Sequence, residues 1–212
     1  ALPYGAHPYF HYGYQGTLPI RQTVYLELIR DIVKGLVNSG FPKIILVNAH
    51  GQWWTLNTAI QEIALAVNAW MGVVTWQEQG LPVIQEVLQT PARHADESET
   101  AMALALYPEK VAFEQGVAEA LGANIDTRFV KKGCFGETTA AFCVEGATAF
   151  PQESKVMVHG VAGDPTLATA EKGKAILEGV TDFIAELVAE LRRRYPVGQV
   201  PPIKPELRVD YY

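Results

Sequence analysis

Residues 93–108, RHADESETAMALALYP, bring one histidine and three carboxylates together directly before an apolar run. Imidazole and carboxylate groups are accepted together by borderline divalent ions, so His94, Asp96, Glu97 and Glu99 indicate a metal site. A segment this short can offer only one or two of the four groups to one ion. Acidic residues at the start of a helix are also stabilised by its dipole, and we interpret Asp96 first as a helix cap.

A second histidine, His50, follows the apolar run at residues 44–47. A short, β-branched and wholly apolar run is typical of a strand buried in a parallel sheet. Ligands collect at the carboxyl ends of such strands, Gly51 permits a close backbone approach, and Asn48 can brace the turn with its amide. His50 therefore either belongs to a site or is hydrogen-bonded by a neighbouring turn.

Residues 159–176, HGVAGDPTLATAEKGKAI, read as a tight loop followed by a helix start. Asp164 or Thr166 is the expected cap, with Pro165 in the first turn. No Lys-Ser/Thr pair follows the glycines, so a phosphate-binding P-loop is excluded. We expect this helix start to line the pocket.

Residues 6–17, AHPYFHYGYQGT, place His7 and His11 four residues apart among aromatic side chains. This spacing suits a metal site on a helix, but Pro8 and Gly13 oppose a regular helix. A loop that contacts the substrate, through His11 and Tyr12, is the preferred interpretation.

The order of the predicted elements indicates an α/β fold. Helix 21–39, strand 44–47, helix 55–70 and strand 72–76 alternate with short connections, which is typical of βαβ units with helices on both faces of a mainly parallel sheet. Further helices are expected at 99–106 and 166–195, a short helix or an irregular segment at 81–89, and loops with edge strands at 124–160. With 212 residues, the chain fits a single domain over residues 1–212.

Composition narrows the class of partner. The net charge of -6 opposes a general nucleic-acid surface, and small molecules are the expected ligands. No apolar run approaches the ~18 residues that span a bilayer. Cys134 and Cys143 match no zinc pattern and are expected as free thiols, so we expect a cytoplasmic protein. The opening ALPYGAHPYF, without Met, resembles a strand end, and we expect further residues upstream.

Several enzyme classes lack their motifs here. There is no Gly-x-Ser-x-Gly elbow, neither cysteine has an adjacent histidine, and no glycine-rich dinucleotide fingerprint occurs. Serine hydrolases, cysteine hydrolases and NAD enzymes are therefore disfavoured.

Three motifs together resemble the creatininase, or creatinine amidohydrolase, family. Residues 48–53, Asn-Ala-His-Gly-Gln-Trp, resemble the family's Asn-Gly-His-Gly-Gly-Asn turn. Residues 94–101 resemble its His-Ala-Gly-Glu-x-Glu-Thr-Ser segment, and residues 160–173 match Gly-x-x-Gly-Asp-Pro-x-x-Ala-Thr-x-Glu-Lys-Gly. The order and approximate spacing of the motifs agree across nearly the whole chain.

The resemblance implies a three-layer α/β/α sandwich, a homo-oligomer expected to be a hexamer, and a hydrolase with up to two divalent ions per subunit, zinc, manganese or iron. In such a site the metal lowers the pKa of water and polarises the carbonyl that the water attacks. His50 is then a metal ligand, Glu99 a carboxylate ligand, and His94 or Glu97 the group that moves a proton or orients the water. The family's Glu-x-His and Asp ligands are expected before residue 1.

Departures from the family pattern bear on the substrate. Gln52, Trp53 and Asp96 replace smaller or different residues and reshape the pocket, so Gln52 and Trp53 are expected to contact the substrate. The Ala-His-Gly-Gln turn resembles the turn found in hydrolases that open oxidised inositol rings. We therefore expect C–C hydrolysis of a keto-inositol such as 3-dehydro-scyllo-inosose, with cyclic amide hydrolysis and a non-catalytic binding scaffold as alternatives.

Overall fold

The computed structural model describes residues 1–2, 5, 16–18, 20–50, 53–120 and 158–200. Their contacts divide the chain into two compact units, and each unit is described by itself. Of the described residues, the first unit contains 1–2, 5, 18, 20–50, 53–76 and 183–200. The second contains 16–17, 77–120 and 158–182. The predicted loops and edge strands at 124–160 lie almost wholly outside the described residues.

Eight regular elements follow one another in the described residues. They are α1 (Gln22–Asn38), β1 (Lys43–Asn48), α2 (Trp53–Val67), β2 (Trp70–Thr75), α3 (Trp76–Gln79), α4 (Leu81–Val87), α5 (Glu97–Leu106) and α6 (Ala170–Arg194). Short 3-10 turns lie at Pro108–Lys110, Phe113–Gln115 and Pro165–Leu167. None of the helices within these ranges is both long and apolar enough to cross a membrane.

The first unit is built on a parallel pair of strands. β1 and β2 pair in register from Lys43 opposite Trp70 to Asn48 opposite Thr75, and α2 makes the crossover between them. The predicted βαβ unit is therefore confirmed. Because the strands are parallel and in register, both end at the same edge of the sheet, and the loop that follows β1 begins there.

Helix α2 ends earlier than the apolar pattern predicts. Asn68 has a φ of 54°, the left-handed conformation that commonly terminates helices. The chain is extended again by Trp70, which opens β2 rather than closing the helix. The predicted boundary at residue 70 was wrong because the apolar spacing continues across this turn.

The core of the first unit packs both strands against helices α1 and α2. α1 contributes Ile29 and Val33, and α2 contributes the apolar face that includes Ile63. The full buried set is Ile29, Val33, Ile44, Leu56, Ala59, Ile63, Ala69 and Met71. Burying one such large aliphatic side chain contributes about 1.5–3 kcal/mol, so this set stabilises the strand β1, which His50 follows.

Helix α6 begins four residues later than predicted, at Ala170. The carboxylate of Asp164 accepts the backbone N–H of Thr166 at 2.9 Å, and this cap starts the separate 3-10 turn Pro165–Leu167. Asp164 is thus a cap, as expected, but of the short turn and not of the long helix. At the other end of α6, the Lys43 Nζ donates to the carbonyl of Pro196 at 2.8 Å.

In the second unit, helices α5 and α6 meet at a glycine. Gly173 of α6 is buried against the backbone of α5, where a Cβ atom would overlap the Ala101 carbonyl group and lie 2.6 Å from the Met102 nitrogen. Neither obstacle can rotate away, because both belong to the backbone. The glycine therefore sets the distance between the two helices.

We predict that Gly173→Ala destabilises the protein by about 1–3 kcal/mol, since the methyl group must push two helices apart. The matched control is Gly35→Ala on the exposed face of α1, where nothing lies within 4 Å of the new Cβ. That control should gain about 0.5–1 kcal/mol from helix propensity. Urea unfolding followed by circular dichroism measures both, and equal stability of the two variants would refute the close helix contact.

Candidate functional site

His50 is presented by a turn that is fixed at the sheet edge. The buried Asn48 accepts the His50 N–H through its Oδ1 at 3.2 Å and donates from Nδ2 to the His50 carbonyl. The same Nδ2 lies 3.3 Å from the Oγ1 of Thr75, the residue opposite Asn48 on β2. The expected bracing role of Asn48 is confirmed, and Thr75 adds a contact from the neighbouring strand.

Asp96 is the N-cap of α5, as the sequence predicts. Its carboxylate is fully buried and accepts the Glu99 N–H at 3.0 Å, the Ser98 hydroxyl at 2.7 Å and the Arg93 N–H at 2.7 Å. Because Asp96 caps the helix, the helix begins at Glu97, two residues before the predicted start. These bonds occupy both carboxylate oxygens with local groups.

Glu97 is also fully buried and lies in a network that reaches beyond its helix. Its Oε2 accepts the N–H groups of Gln89 at 2.9 Å and Thr90 at 3.0 Å, and the Thr90 hydroxyl at 2.9 Å. Its Oε1 pairs with the Nζ of Lys172. Burial opposes ionisation of Glu97, but the hydrogen bonds from Lys172, Thr90 and Gln89 outweigh it and hold the pKa below its usual value.

Glu99 is the carboxylate at this helix start whose environment opposes its charge. Its Oε2 accepts the Ala95 N–H at 2.7 Å. Burial, and to a smaller extent the neighbouring charge of Asp96, raise the pKa of Glu99 to about 7, against the lowering effect of the Ala95 bond. A cation next to Glu99 would supply the positive counter-charge that stabilises its ionised carboxylate. This side chain is therefore suited to be a metal ligand.

His94 is held in place through its backbone. Its carbonyl accepts the Ala162 N–H at 2.8 Å in an isolated antiparallel bridge. Burial lowers the pKa of His94, opposed by the charge of Asp96 and assisted by that of Arg93, so the imidazole is neutral at neutral pH. A neutral imidazole can accept a proton or coordinate a metal.

The loop at residues 158–163 is fixed beside the α5 start by Glu119 and Gly163. Glu119 and Gly163 exchange two backbone bonds of 2.9 and 2.7 Å, and the Glu119 carboxylate accepts the His159 N–H at 2.9 Å. Gly163 has a φ of 136°, and a Cβ there would lie 2.7 Å from the Cβ of Asp96. A glycine is therefore required where the loop passes the cap.

The structure brings three of the site residues predicted from sequence together on one short segment, His94, Glu97 and Glu99. His50 belongs to the other unit. His11, Tyr12 and Gln52 lie outside the described residues, and Trp53 opens α2 but its side chain is not among those described. Within neither unit do three described His, Cys, Asp or Glu side chains group as a metal site.

A groove of about 680 Å³ lies at the other end of α5 and along α6. Its lining includes the charged residues Glu171, Lys174, Glu178 and Asp182 and no histidine. The groove contains none of the predicted site residues, so it does not fit the chemistry that residues 94–99 indicate.

A comparison with protein families decides the ancestry of the chain. The family model named Creatininase, described as creatinine amidohydrolase, matches residues 1–188. The chain belongs to the creatininase family. The resemblance drawn from the three sequence motifs is thereby confirmed, and this family is one of hydrolases.

The chain is also similar to a characterised enzyme. The 3-dehydro-scyllo-inosose hydrolase of Thermotoga maritima is 34% identical over 214 aligned residues, which cover 94% of this chain and 66% of the relative. The chain therefore spans about two thirds of the length of that relative.

Solved structures of creatininases share the fold. A putative creatinine amidohydrolase from Bacteroides fragilis superposes with a TM-score of 0.73 at 20% identity, covering 96% of this chain and 72% of that one. A creatininase mutant described as the Zn-Zn type and a creatininase described as the Mn form each give 0.60 at 20% identity, covering 86% of this chain and 68% of theirs. The predicted creatininase-like α/β fold is confirmed.

Four residues that contact the candidate residues or their neighbours were not selected from the sequence as site residues: Thr75 in the first unit, and Thr90, Glu119 and Lys172 in the second. Lys172 lies inside the matched motif at residues 160–173, so its position was a usable signal. Glu119 and Thr90 belong to no motif. Glu119 acts through a contact with His159, 40 residues further along the chain, whereas Thr90 is only seven residues from Glu97.

We predict that Asp96→Ala destabilises the protein by about 2–4 kcal/mol, because a cap is lost and buried donors are left without acceptors. Asp164→Ala is the matched control, since its cap serves a single 3-10 turn, and it should cost no more than about 1 kcal/mol. Chemical unfolding of both variants measures the difference. Equal losses would mean that the buried bonds of Asp96 add nothing to an ordinary cap.

Proposed function

We propose that this chain is the metal-dependent part of a hydrolase that opens a small cyclic polar substrate. Among the three carboxylates at the α5 start, Asp96 and Glu97 have both oxygens engaged by local groups and Lys172. Glu99 is desolvated, with a pKa raised to about 7. This contrast is the observation that carries the proposal, because a bound divalent cation is what would stabilise the Glu99 carboxylate.

We assign His50 and Glu99 as metal ligands, on the basis of the two family motifs in which they lie. The fixed turn around His50 supports this role, since ligands are held in place by neighbouring hydrogen bonds in metal sites. A bound metal would supply an activated water and polarise the carbonyl of the substrate. Zinc, manganese and iron are the expected ions, with up to two per subunit.

His94 is the preferred proton-moving residue, and Glu97 is the less suitable of the two. The neutral imidazole of His94 can take the proton of the attacking water and return it to the leaving group. Both oxygens of Glu97 already accept hydrogen bonds or pair with Lys172, so a proton transfer there would break the network. The assignment of proton transfer to His94 follows from this difference.

C–C hydrolysis of a keto-inositol such as 3-dehydro-scyllo-inosose is the favoured reaction. The Thermotoga relative carries that name, and the Ala-His-Gly-Gln turn at residues 49–52 supports the same branch. In this reaction the hydroxyl of water adds to the ketone carbon, the adjacent C–C bond breaks, and the departing carbon receives a proton. Gln52, Trp53, His11 and Tyr12 are proposed to contact the substrate.

Hydrolysis of a cyclic amide C–N bond is the second candidate. The description of the family model as creatinine amidohydrolase favours it. Both reactions begin with attack of water on a carbonyl, so the same metal ligands and proton carrier serve either one. We further propose a cytoplasmic homo-oligomer, with a hexamer as the expected form.

Removal of the metal tests the proposal. Chelation should abolish hydrolysis of 3-dehydro-scyllo-inosose, and added zinc or manganese should restore it. Assaying creatinine alongside separates the two reactions by product. Turnover of neither substrate by metal-loaded protein would contradict the function.

Substitution of the proposed ligands tests the site itself. Glu99→Gln and His50→Ala should each weaken metal binding by at least about 100-fold, because loss of an outer partner of a ligand already costs 10- to 100-fold. The controls are Glu171→Gln, on the exposed part of α6, and His159→Ala, whose side chain is 61% exposed. Metal analysis after dialysis measures all four variants, and wild-type metal content in Glu99→Gln would refute the assignment of Glu99.

A further inference from the structure

Lys172 lies where a cation is electrostatically unfavourable. It is the third residue of α6, and the first turn of a helix carries the positive end of the helix dipole. Its side chain is 18% exposed, so water does little to offset this cost. A lysine at such a position must be stabilised by partners of its own.

Those partners come from two segments of the second unit. The Nζ of Lys172 pairs with Oε1 of Glu97 on α5 and donates to the carbonyl of Leu167 at 2.9 Å. Exposed ion pairs contribute little, but Glu97 has no exposed surface. Removing one partner of a buried pair leaves an uncompensated charge, so this contact constrains both segments strongly.

Glu97 transmits the contact to the residues that precede the site. Its second oxygen holds the backbone of Gln89 and Thr90. Glu97 also stands between His94 and Glu99 in the sequence: His94 precedes the cap residue Asp96, and Glu97 and Glu99 lie in the first turn of α5. One ammonium group therefore joins the loop at Leu167, the segment at 89–90 and residues 94–99, which include the proposed proton carrier and the proposed ligand.

We propose that Lys172 is a positioning residue of the active site, which acts through Glu97 to fix residues 94–99, the segment that contains His94 and Glu99. The expected effect of Lys172 on catalysis rests on the proposed function. Lys172 does not contact the substrate in this account. Its loss should affect the turnover number and the metal affinity more than the Michaelis constant.

The test compares Lys172→Met with Lys174→Met. Lys174 is two residues further along α6, its side chain is 74% exposed, and it pairs only loosely with Glu178 at 3.8 Å. Three properties are measured in metal-loaded and metal-free protein: kcat and KM for 3-dehydro-scyllo-inosose, zinc affinity, and hydrogen exchange of the amides at 89–90 and 94–99. Lys172→Arg, which keeps the charge, serves as the conservative variant.

We expect Lys172→Met to lose at least tenfold in kcat and in zinc affinity, with about tenfold faster exchange at 89–90. Lys172→Arg should recover part of each loss, and Lys174→Met should match the wild type. If Lys172→Met does not fold, the double variant Glu97→Gln/Lys172→Met removes both charges and should show the same losses.

A folded Lys172→Met, or a folded double variant, with wild-type kcat, zinc affinity and exchange would overturn the positioning role. Failure of the proposed function looks different. In that case the wild type and Lys174→Met themselves bind no zinc and hydrolyse no substrate, while the exchange measurement still reports whether Lys172 fixes the helix turn.

Discussion

The buried charge of Glu97 is the constraint on which the organisation of the second unit depends. A carboxylate with no exposed surface is costly unless several donors and a counter-charge surround it. The chain supplies them from residues 89–90 and from Lys172. Satisfying one charge therefore fixes α5, the start of α6 and the preceding loop with respect to one another, and the candidate site lies on the element they share.

The three carboxylates at the start of α5 are chemically alike but have different surroundings. Asp96 serves the backbone of its own helix, Glu97 joins separate segments, and Glu99 has its ionised form disfavoured by burial. In the structure, two members of this acidic cluster, Asp96 and Glu97, hold the backbone or other segments in place, and only Glu99 is suited to bind a cation. The turn at His50 is also fixed by hydrogen bonds, because the Asn48 side chain bonds the His50 backbone and is itself in contact with Thr75.

Local features of the fold and site were predictable from sequence, and long-range ones were not. The βαβ unit, the Asp96 cap and the Asn48 brace follow from apolar runs, capping chemistry and turn chemistry over a few residues. The end of α2 at Asn68 was missed because apolar spacing continued past a left-handed residue. The partnership of Glu97 with Lys172 spans 75 residues, and no local pattern encodes it.

Anomalous diffraction at the metal absorption edge tests the central claim most directly, namely that Glu99 binds metal while Glu97 organises the site. Crystals of the zinc-loaded protein should show a peak about 2.0–2.2 Å from a Glu99 carboxylate oxygen, with Lys172 still paired to Glu97. A peak at Glu97 with Lys172 displaced, or no peak at Glu99, would contradict the account.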